Sequence, residues 1–235
     1  MATIGGSNIV RSGLVLELEA ASRNSYPGSG TVWTDLSGNN NNGTLIASPT
    51  YSSNNAGIFS FNGTNQYATL GTPSTINNLT TPTVSAWAKF NAVNTAVANA
   101  ITIYEKGYDG TYEGFCLRIV NPNLLQVSTY ILSGNQTFGA TAPIATVIGA
   151  WYNVVGQYTG TAWNLYINGD LSNSSITATG PQASTAPISI GAASISGTYQ
   201  RFLNGDISLV QVYNRALSAT EIQQNYNAQK SRFGL

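Results

Sequence analysis

Glu17 and Glu19, in the run Leu14-Val-Leu-Glu-Leu-Glu19, stand two positions apart. On an extended strand they share a face with about 7 Å between their Cα atoms. That separation approaches the spacing at which two carboxyl groups act as acid and nucleophile on a glycosidic bond. The other reading is a solvated strand face, with Glu19 organising the turn after it. Other acid–base groups are Asp35, Asp109, Asp170, Asp206, Glu105, Glu113 and Glu221, or a Lys, Tyr or Ser acting without imidazole. Imidazole is missing because the chain contains no His, which excludes Ser-His-Asp and Cys-His catalysis and imidazole-ligated zinc.

Two further groups could bind rather than react. Asp35-Leu-Ser37-Gly-Asn39-Asn-Asn41-Asn-Gly43 places oxygen-bearing side chains at every second position of a Gly-punctuated loop, a pattern that suits a hard cation such as calcium. It equally suits an Asx-turn, in which Asp35 and the Asn amides satisfy loop N–H groups without metal. Tyr and Trp faces stack on sugar rings while Asn and Gln bond the hydroxyls, and the chain holds 13 Tyr and 26 Asn. Trp87, Trp151 and Trp163 lie within strand patterns and are expected in the core. Loop aromatics are better platforms: Tyr26, Trp33, Tyr51, Tyr104, Tyr108, Tyr112 and Tyr199. Glu105-Lys-Gly-Tyr-Asp-Gly-Thr-Tyr112 is the most binding-like stretch, so the candidate carbohydrate site is Tyr104, Tyr108, Asp109, Tyr112 and Tyr199. The plain alternative for that stretch is a strand connection.

The elements that must position these residues are strands. Apolar residues alternate with polar ones at 14–19, 58–61, 67–70, 83–90, 101–105, 115–120, 125–132, 151–158, 162–167, 188–190 and 207–213. Asn62-Gly63, Asn121-Pro122, Ser133-Gly134-Asn135, Asn168-Gly169 and Asn204-Gly205 punctuate them. Asn168-Gly169 predicts a type I′ hairpin, whose two central residues need positive φ. Ser218-Ala-Thr-Glu221 is a capping box that opens a helix over 219–228. The rest reads as one domain, 13–235, behind an arm, 1–12. The arm has too little hydrophobic pattern for a core and is expected, with Arg11, to lie along a neighbouring subunit. Soft loops are expected at 140–146 and 172–186.

Composition narrows function. Only 8% of the 235 residues are charged, and nine basic balance nine acidic, so no field draws in nucleic acid or anionic lipid. No apolar run approaches the ~18 residues of a membrane span, and the start, Met1-Ala-Thr-Ile-Gly-Gly, has no signal-peptide pattern. Cys116, alone, has no disulfide partner in the chain and is expected to be a small buried residue.

Six segments in order carry a resemblance: Trp33-Thr-Asp-Leu-Ser-Gly-Asn-Asn-Asn-Asn-Gly43-Thr-Leu, Phe61-Asn-Gly-Thr-Asn-Gln-Tyr67, Val84-Ser-Ala-Trp87, Trp151-Tyr-Asn-Val-Val, Leu165-Tyr-Ile-Asn-Gly169 and Gly205-Asp-Ile-Ser-Leu-Val-Gln-Val-Tyr-Asn-Arg-Ala-Leu-Ser218. Together they resemble the laminin-G-like, concanavalin A-like lectin/glucanase superfamily. The resemblance implies an all-β, two-sheet antiparallel jelly-roll sandwich with one short C-terminal helix. It also implies calcium held by the Asp35, Ser37, Asn39, Asn41, Gly43 loop with Asp206. Glucanases of this type carry Glu-x-Asp-x-(x)-Glu, whereas Glu17-Leu-Glu-Ala-Ala-Ser22 lacks the middle Asp and the outer Glu, so a non-catalytic protein is expected. The stretches 22–30 and 225–234 resemble the version found in tailed-bacteriophage virion proteins. That implies a virion structural protein, a capsid decoration or tail-associated one, made in the host cytoplasm and contacting other virion proteins or copies of itself. A module that binds host-surface glycan for adhesion is the alternative, and a glucanase-like hydrolase the remote one.

Overall fold

A computed structural model of the chain describes residues 8–92, 100–120, 124–133, 136–143 and 146–235. In chain order the strands are β1 (Leu14–Glu19), β2 (Val32–Trp33), β3 (Gly43–Ile46), β4 (Thr50–Ser52), β5 (Ile58–Asn62), β6 (Tyr67–Gly71), β7 (Thr83–Phe90), β8 (Ala100–Lys106) and β9 (Tyr112–Val120). Next come β10 (Leu124–Ile131), β11 (Gln136–Thr141), β12 (Trp151–Tyr158), β13 (Ala162–Ile167), β14 (Asp170–Ile176), β15 (Ile188–Ile190), β16 (Ala193–Ile195), β17 (Thr198–Gln200) and β18 (Asn204–Tyr213), then helix α1 (Ala219–Gln229). The first sheet runs β14-β13-β12-β7-β18-β5-β4 with β1 also on β18; the second runs β11-β10-β9-β8-β15-β6-β3-β2. All these pairings are antiparallel, and β16–β17 forms a separate ribbon. This is the expected two-sheet jelly roll. Among the described residues no helix is long and apolar enough to cross a membrane.

Alternation builds the core. From β7, Val84, Ala86, Ala88 and Phe90 join the cluster between the sheets, where they meet Phe115, Leu117 and Ile119 of β9. The intervening Trp87 faces the other way and is also fully buried, because α1 and the chain end cover that face of the first sheet. A sheet buried on both faces shows fewer polar breaks, which is why β7 and β18 are buried almost throughout.

Helix α1 begins as expected. Ser218 Oγ accepts the Glu221 N–H at 3.2 Å, and Glu221 Oε2 accepts the Ser218 N–H at 2.8 Å. The Arg215 guanidinium, hydrogen-bonded to Glu221, holds that carboxyl down at about 2. The hairpin turn also forms as expected, with Asn168 at φ 53° and Gly169 at φ 87°.

Two expectations change. Residues 8–12 of the arm pack on this chain: Val10 is buried with Leu14, Tyr213, Leu217 and Ile222, with Ile9 against the same cluster. The Val10 N–H donates to Asn225 Oδ1 at 2.8 Å, and Tyr213 donates to the Val10 carbonyl at 3.0 Å. Two apolar residues are too few for periodicity to show, yet enough to seal a helix–sheet seam. Residues 1–7 of the arm, Asn121-Pro122 and positions 144–145 of the soft loop lie outside the described residues. The second change is that 172–186 opens in strand β14, an edge strand of mostly exposed Ser and Asn whose pattern carries no alternation to read.

Candidate functional site

The most chemically loaded place in the fold lies on the face of β8, β9 and β10 that points away from the core, and two β-bulges create it. In β8, Thr102 pairs with Arg118 and Tyr104 with Leu117, so β8 carries one extra residue. Ile103 and Tyr104 therefore both join the core, and Glu105 emerges beside Thr102 on the outer face. In β9, Cys116 pairs with Ser128 and Glu113 with Tyr130, a second extra residue. That bulge brings odd-numbered Glu113 to the face that also carries Cys116 and Arg118. Gly114 sits within it because a Cβ there would come within 2.4 Å of Lys106 Cγ.

The β16–β17 ribbon straps this face. The Tyr108 N–H donates to the Ser194 carbonyl and the Ser196 N–H to the Tyr108 carbonyl, each at 2.7 Å. At the other end the Thr102 N–H donates to the Arg201 carbonyl at 3.0 Å. Arg201 holds φ 55°, a left-handed conformation uncommon for a residue with a side chain. Between ribbon and sheet opens a cavity of about 360 Å³, walled by Tyr108, Tyr130, Thr137 and Ile195 and floored by Glu113, Arg118 and Arg201. The two tyrosine rings meet edge to face at 5.9 Å.

Glu113 is the hub of the floor. It accepts from Arg118 Nη1 at 2.9 Å and from Arg201 Nη1 at 2.7 Å. Burial pushes its carboxyl up, but the two guanidiniums outweigh that and bring it to about 2. Glu105, fully buried, is moved the opposite way by desolvation first and by the Glu113 charge second, to well above the usual carboxylate range. Its Oε2 accepts from Thr102 Oγ1 at 3.1 Å, while its buried Oε1 has no hydrogen-bond partner among the described residues. Glu105, Glu113 and Cys116 offer ligand atoms within 4.8 Å of one another. The Arg118 and Arg201 guanidiniums lie against these two carboxylates, so positive charge already fills the space where a cation would sit and the cluster does not fit a metal ion.

Of the five residues expected to hold sugar, only Tyr108 lines this cavity. Tyr104 is 3% exposed and faces the core, a correction imposed by the β8 bulge. Tyr26 and Trp33 are buried as well. Asp109 organises the loop: burial opposes its ionisation, but N–H groups of Tyr112, Thr185 and Thr111 hold its pKa below the ordinary value. Tyr112, half-buried, opens β9 outside the lining. Tyr199 stacks on Tyr67 at 4.0 Å beside a second hollow of about 280 Å³ that shares Arg201. Sequence reasoning passed over Arg118, Tyr130 and Arg201; the one available signal was a lone Arg inside the apolar run Phe115–Val120.

The other candidate groups are engaged in holding the fold. Asp35 Oδ1 accepts from the Glu17 and Ser37 N–H groups at 2.8 and 2.9 Å, and Oδ2 from Ser37 Oγ and the Asn41 N–H at 2.7 and 3.0 Å. All four lone-pair positions of the carboxylate are taken by donors. Asn41 is tied to Val15 and Thr75, Asn39 bonds Ser37, and Gly43 opens β3. Asp206 pairs with Lys89 at 2.6 Å and accepts from Ser60 Oγ. It lies five residues along β18 from Gln211, the partner of Glu17, about 16 Å away. These residues do not fit a calcium ion and form the Asx-turn instead. Melting should therefore be the same in EDTA and in calcium, and Asp35→Ala should cost about 1–3 kcal/mol equally in both. A calcium-dependent rise in Tm that the variant loses would reverse this assignment. Glu17 pairs with Arg11, and Glu19 holds Arg232 at 2.8 Å and the Ala21 N–H at 2.9 Å, which makes Glu19 the turn organiser.

A two-sheet jelly roll with an aromatic-walled, arginine-floored cavity on one outer face is a lectin-like β-sandwich. The chain belongs to the concanavalin A-like lectin/glucanases superfamily, whose laminin G-type family model matches residues 61–223. No curated protein matches the sequence. Among solved structures the fold is similar to the binding domain of Paraclostridial mosquitocidal protein 1, with a TM-score of 0.72, 18% identity, and coverage of 93% of this chain and 52% of that one. It is also similar to domain 4 of AbnA, an extracellular arabinanase of Geobacillus stearothermophilus in complex with arabinotriose, with a TM-score of 0.71, 16% identity, and coverage of 92% and 98%. A third is a Trypanosoma rangeli sialidase in complex with sialic acid, with a TM-score of 0.68, 17% identity, and coverage of 94% and 33%. The chain spans about half the length of the toxin binding domains it matches.

Proposed function

We propose that this chain is a non-catalytic carbohydrate-binding module whose site is the cavity between the β16–β17 ribbon and β8–β10. The carrying observation is the cavity itself: two tyrosine rings on its wall, three charged side chains on its floor and about 360 Å³ between them. Ligand cavities run from ~300 Å³ upward and combine apolar walls with a few convergent polar groups. The arabinotriose complex of AbnA domain 4, a chain that this one covers almost end to end, supports the reading. Catalysis draws no support from Glu17 and Glu19, which are spent on Arg11 and Arg232. The sequence alone puts a virion structural role first; the cavity reverses that order. The virion context becomes the setting, with host-surface glycan as ligand and virion proteins or further copies of the chain as neighbours.

The test is a glycan array and then a titration. Saturable binding is expected, weakened about tenfold by Tyr108→Ala. That substitution should spare the fold, because the Tyr108 hydroxyl donates only to the exposed loop carbonyl of Gly110. An array with no binding at roughly millimolar ligand would overturn the reading.

A further inference from the structure

The cavity carries more positive than negative charge, and the ligand class this charge selects rests on the glycan reading of the site. Two guanidiniums, Arg118 and Arg201, reach its floor, and one ionised carboxylate, Glu113, answers both. The second carboxylate nearby, Glu105, lies 4.0 Å from Arg201 Nη1 but is fully buried and does not line the cavity. The chain as a whole is balanced, nine against nine, so a lining of two guanidiniums and one carboxylate is a local arrangement. In a half-enclosed site such a lining acts on a ligand more strongly than it would on an open surface.

Arg201 is the less committed of the pair. Arg118 is 8% exposed and spends its Nε on Gln126 Oε1 at 3.0 Å as well as Nη1 on Glu113. Arg201 is 18% exposed, its one side-chain hydrogen bond among the described residues goes to Glu113, it stands 4.0 Å from Glu105, and its buried Nε has no hydrogen-bond partner among them. Its left-handed backbone is held by the Thr102 N–H, so the side chain is fixed at the cavity floor by an uncommon conformation. Such strain persists where the surrounding structure enforces it, and it concentrates at ligand sites. A planar guanidinium with unused donors matches a carboxylate in charge and in shape.

We propose that the ligand of this cavity is a carboxylate-bearing sugar, a uronic or a sialic acid residue, with the carboxylate answered by Arg201 and the ring lying against Tyr108 and Tyr130. A neutral sugar would use the tyrosine wall and leave the Arg201 guanidinium unanswered.

Matched pairs of ligands test this on the full chain: sialyllactose against lactose, and oligogalacturonate against neutral galactooligosaccharide, at low and high salt. In at least one pair the acidic member should bind about tenfold more tightly, with the advantage shrinking as salt rises. The pair that responds tells sialic from uronic acid. Arg201→Gln should erase the preference and leave Glu113 still paired with Arg118, whereas Tyr108→Ala should weaken both members of the pair. Arg201→Lys, which keeps the charge and loses the fork, should retain part of the preference. Equal binding of acidic and neutral members, or a preference that survives Arg201→Gln, would overturn the carboxylate while the glycan site stands. Failure of every member to bind would remove the glycan site and this inference together.

Discussion

Glu113→Gln should cost about 3 kcal/mol at neutral pH and lower Tm by about 6–12 °C, the scale expected for a domain of this size. The figure comes from the carboxyl itself. Its pKa falls from the ordinary 4.5 to about 2, and each unit is worth about 1.4 kcal/mol of differential stability. A depressed carboxyl contributes stability that is fully present above the unfolded value near 4.5 and is lost as pH falls through 2. The wild type should therefore lose this contribution between about pH 4.5 and 2, and the variant should show a flatter slope there. Glu105 has the opposite sign. With its folded pKa raised, its contribution is present below about 4.5 and lost as pH climbs through the folded value. Glu105→Gln should thus gain on the wild type as pH rises above 4.5. In Glu113→Gln, Glu105 can release its proton to answer the two arginines, so the double variant should be less stable than either single one. Thermal and urea unfolding across pH 2–9 measures all of this. A Glu113→Gln protein within 0.5 kcal/mol of wild type at neutral pH would show that the buried cluster is not organised around Glu113.

The second large effect belongs to the opposite face of the molecule. Trp87, fully buried on β7, stacks on Phe233 with ring centroids 4.0 Å apart and on Tyr226 at 5.8 Å, and its Nε1 donates to Gln229 Oε1 at 2.7 Å. These contacts fasten α1 and the chain end to the first sheet. Trp87→Ala removes the ring, opens a cavity and leaves the Gln229 oxygen without its donor, for a cost of about 3–5 kcal/mol. Trp87→Phe keeps a ring against Phe233 but leaves the buried Gln229 oxygen unpaired, so it should cost about 1–3 kcal/mol. Hydrogen exchange should localise the Trp87→Ala effect to residues 219–235, with β8–β10 and the cavity still protected. Uniform loss of protection across both sheets would mean that the helix is an integral part of the core rather than a cover upon it.

Where side-chain period and turn chemistry act locally, the amino-acid sequence was sufficient. Val84, Ala86, Ala88 and Phe90 point inward because their spacing is two, and β7, β12 and β13 occupy the predicted positions. Asn168-Gly169 turns because it tolerates positive φ, and α1 starts at Ser218 because Ser218 and Glu221 cap each other. Short or polar segments escaped: β14 has no apolar face to betray it, and Ile9 and Val10 are too brief to show a period. Asp35 was legible as a loop organiser, but two readings fitted the same oxygens until the donors around them were in place.

The candidate site was the part that local pattern misdirected. Alternation through Ile101 and Ile103 assigns Glu105 to the core face and leaves Tyr104 on the outer one. The structure does the reverse, because β8 takes an extra residue against β9 while β9 takes one against β10. A bulge is a mismatch between two strands that are paired, so neither strand's own sequence reports it; it inverts the facing of everything beyond it. Arg201 comes from still farther along the chain, 88 residues from Glu113, and meets it only because the β16–β17 ribbon folds back over the second sheet. The sequence by itself determined most of the longer strands, their turns and the helix cap, all governed by neighbours within a few residues. Only the tertiary structure decided which charges share the cavity, because their facing depends on register between strands and their pairing on a strap that closes across the sheet.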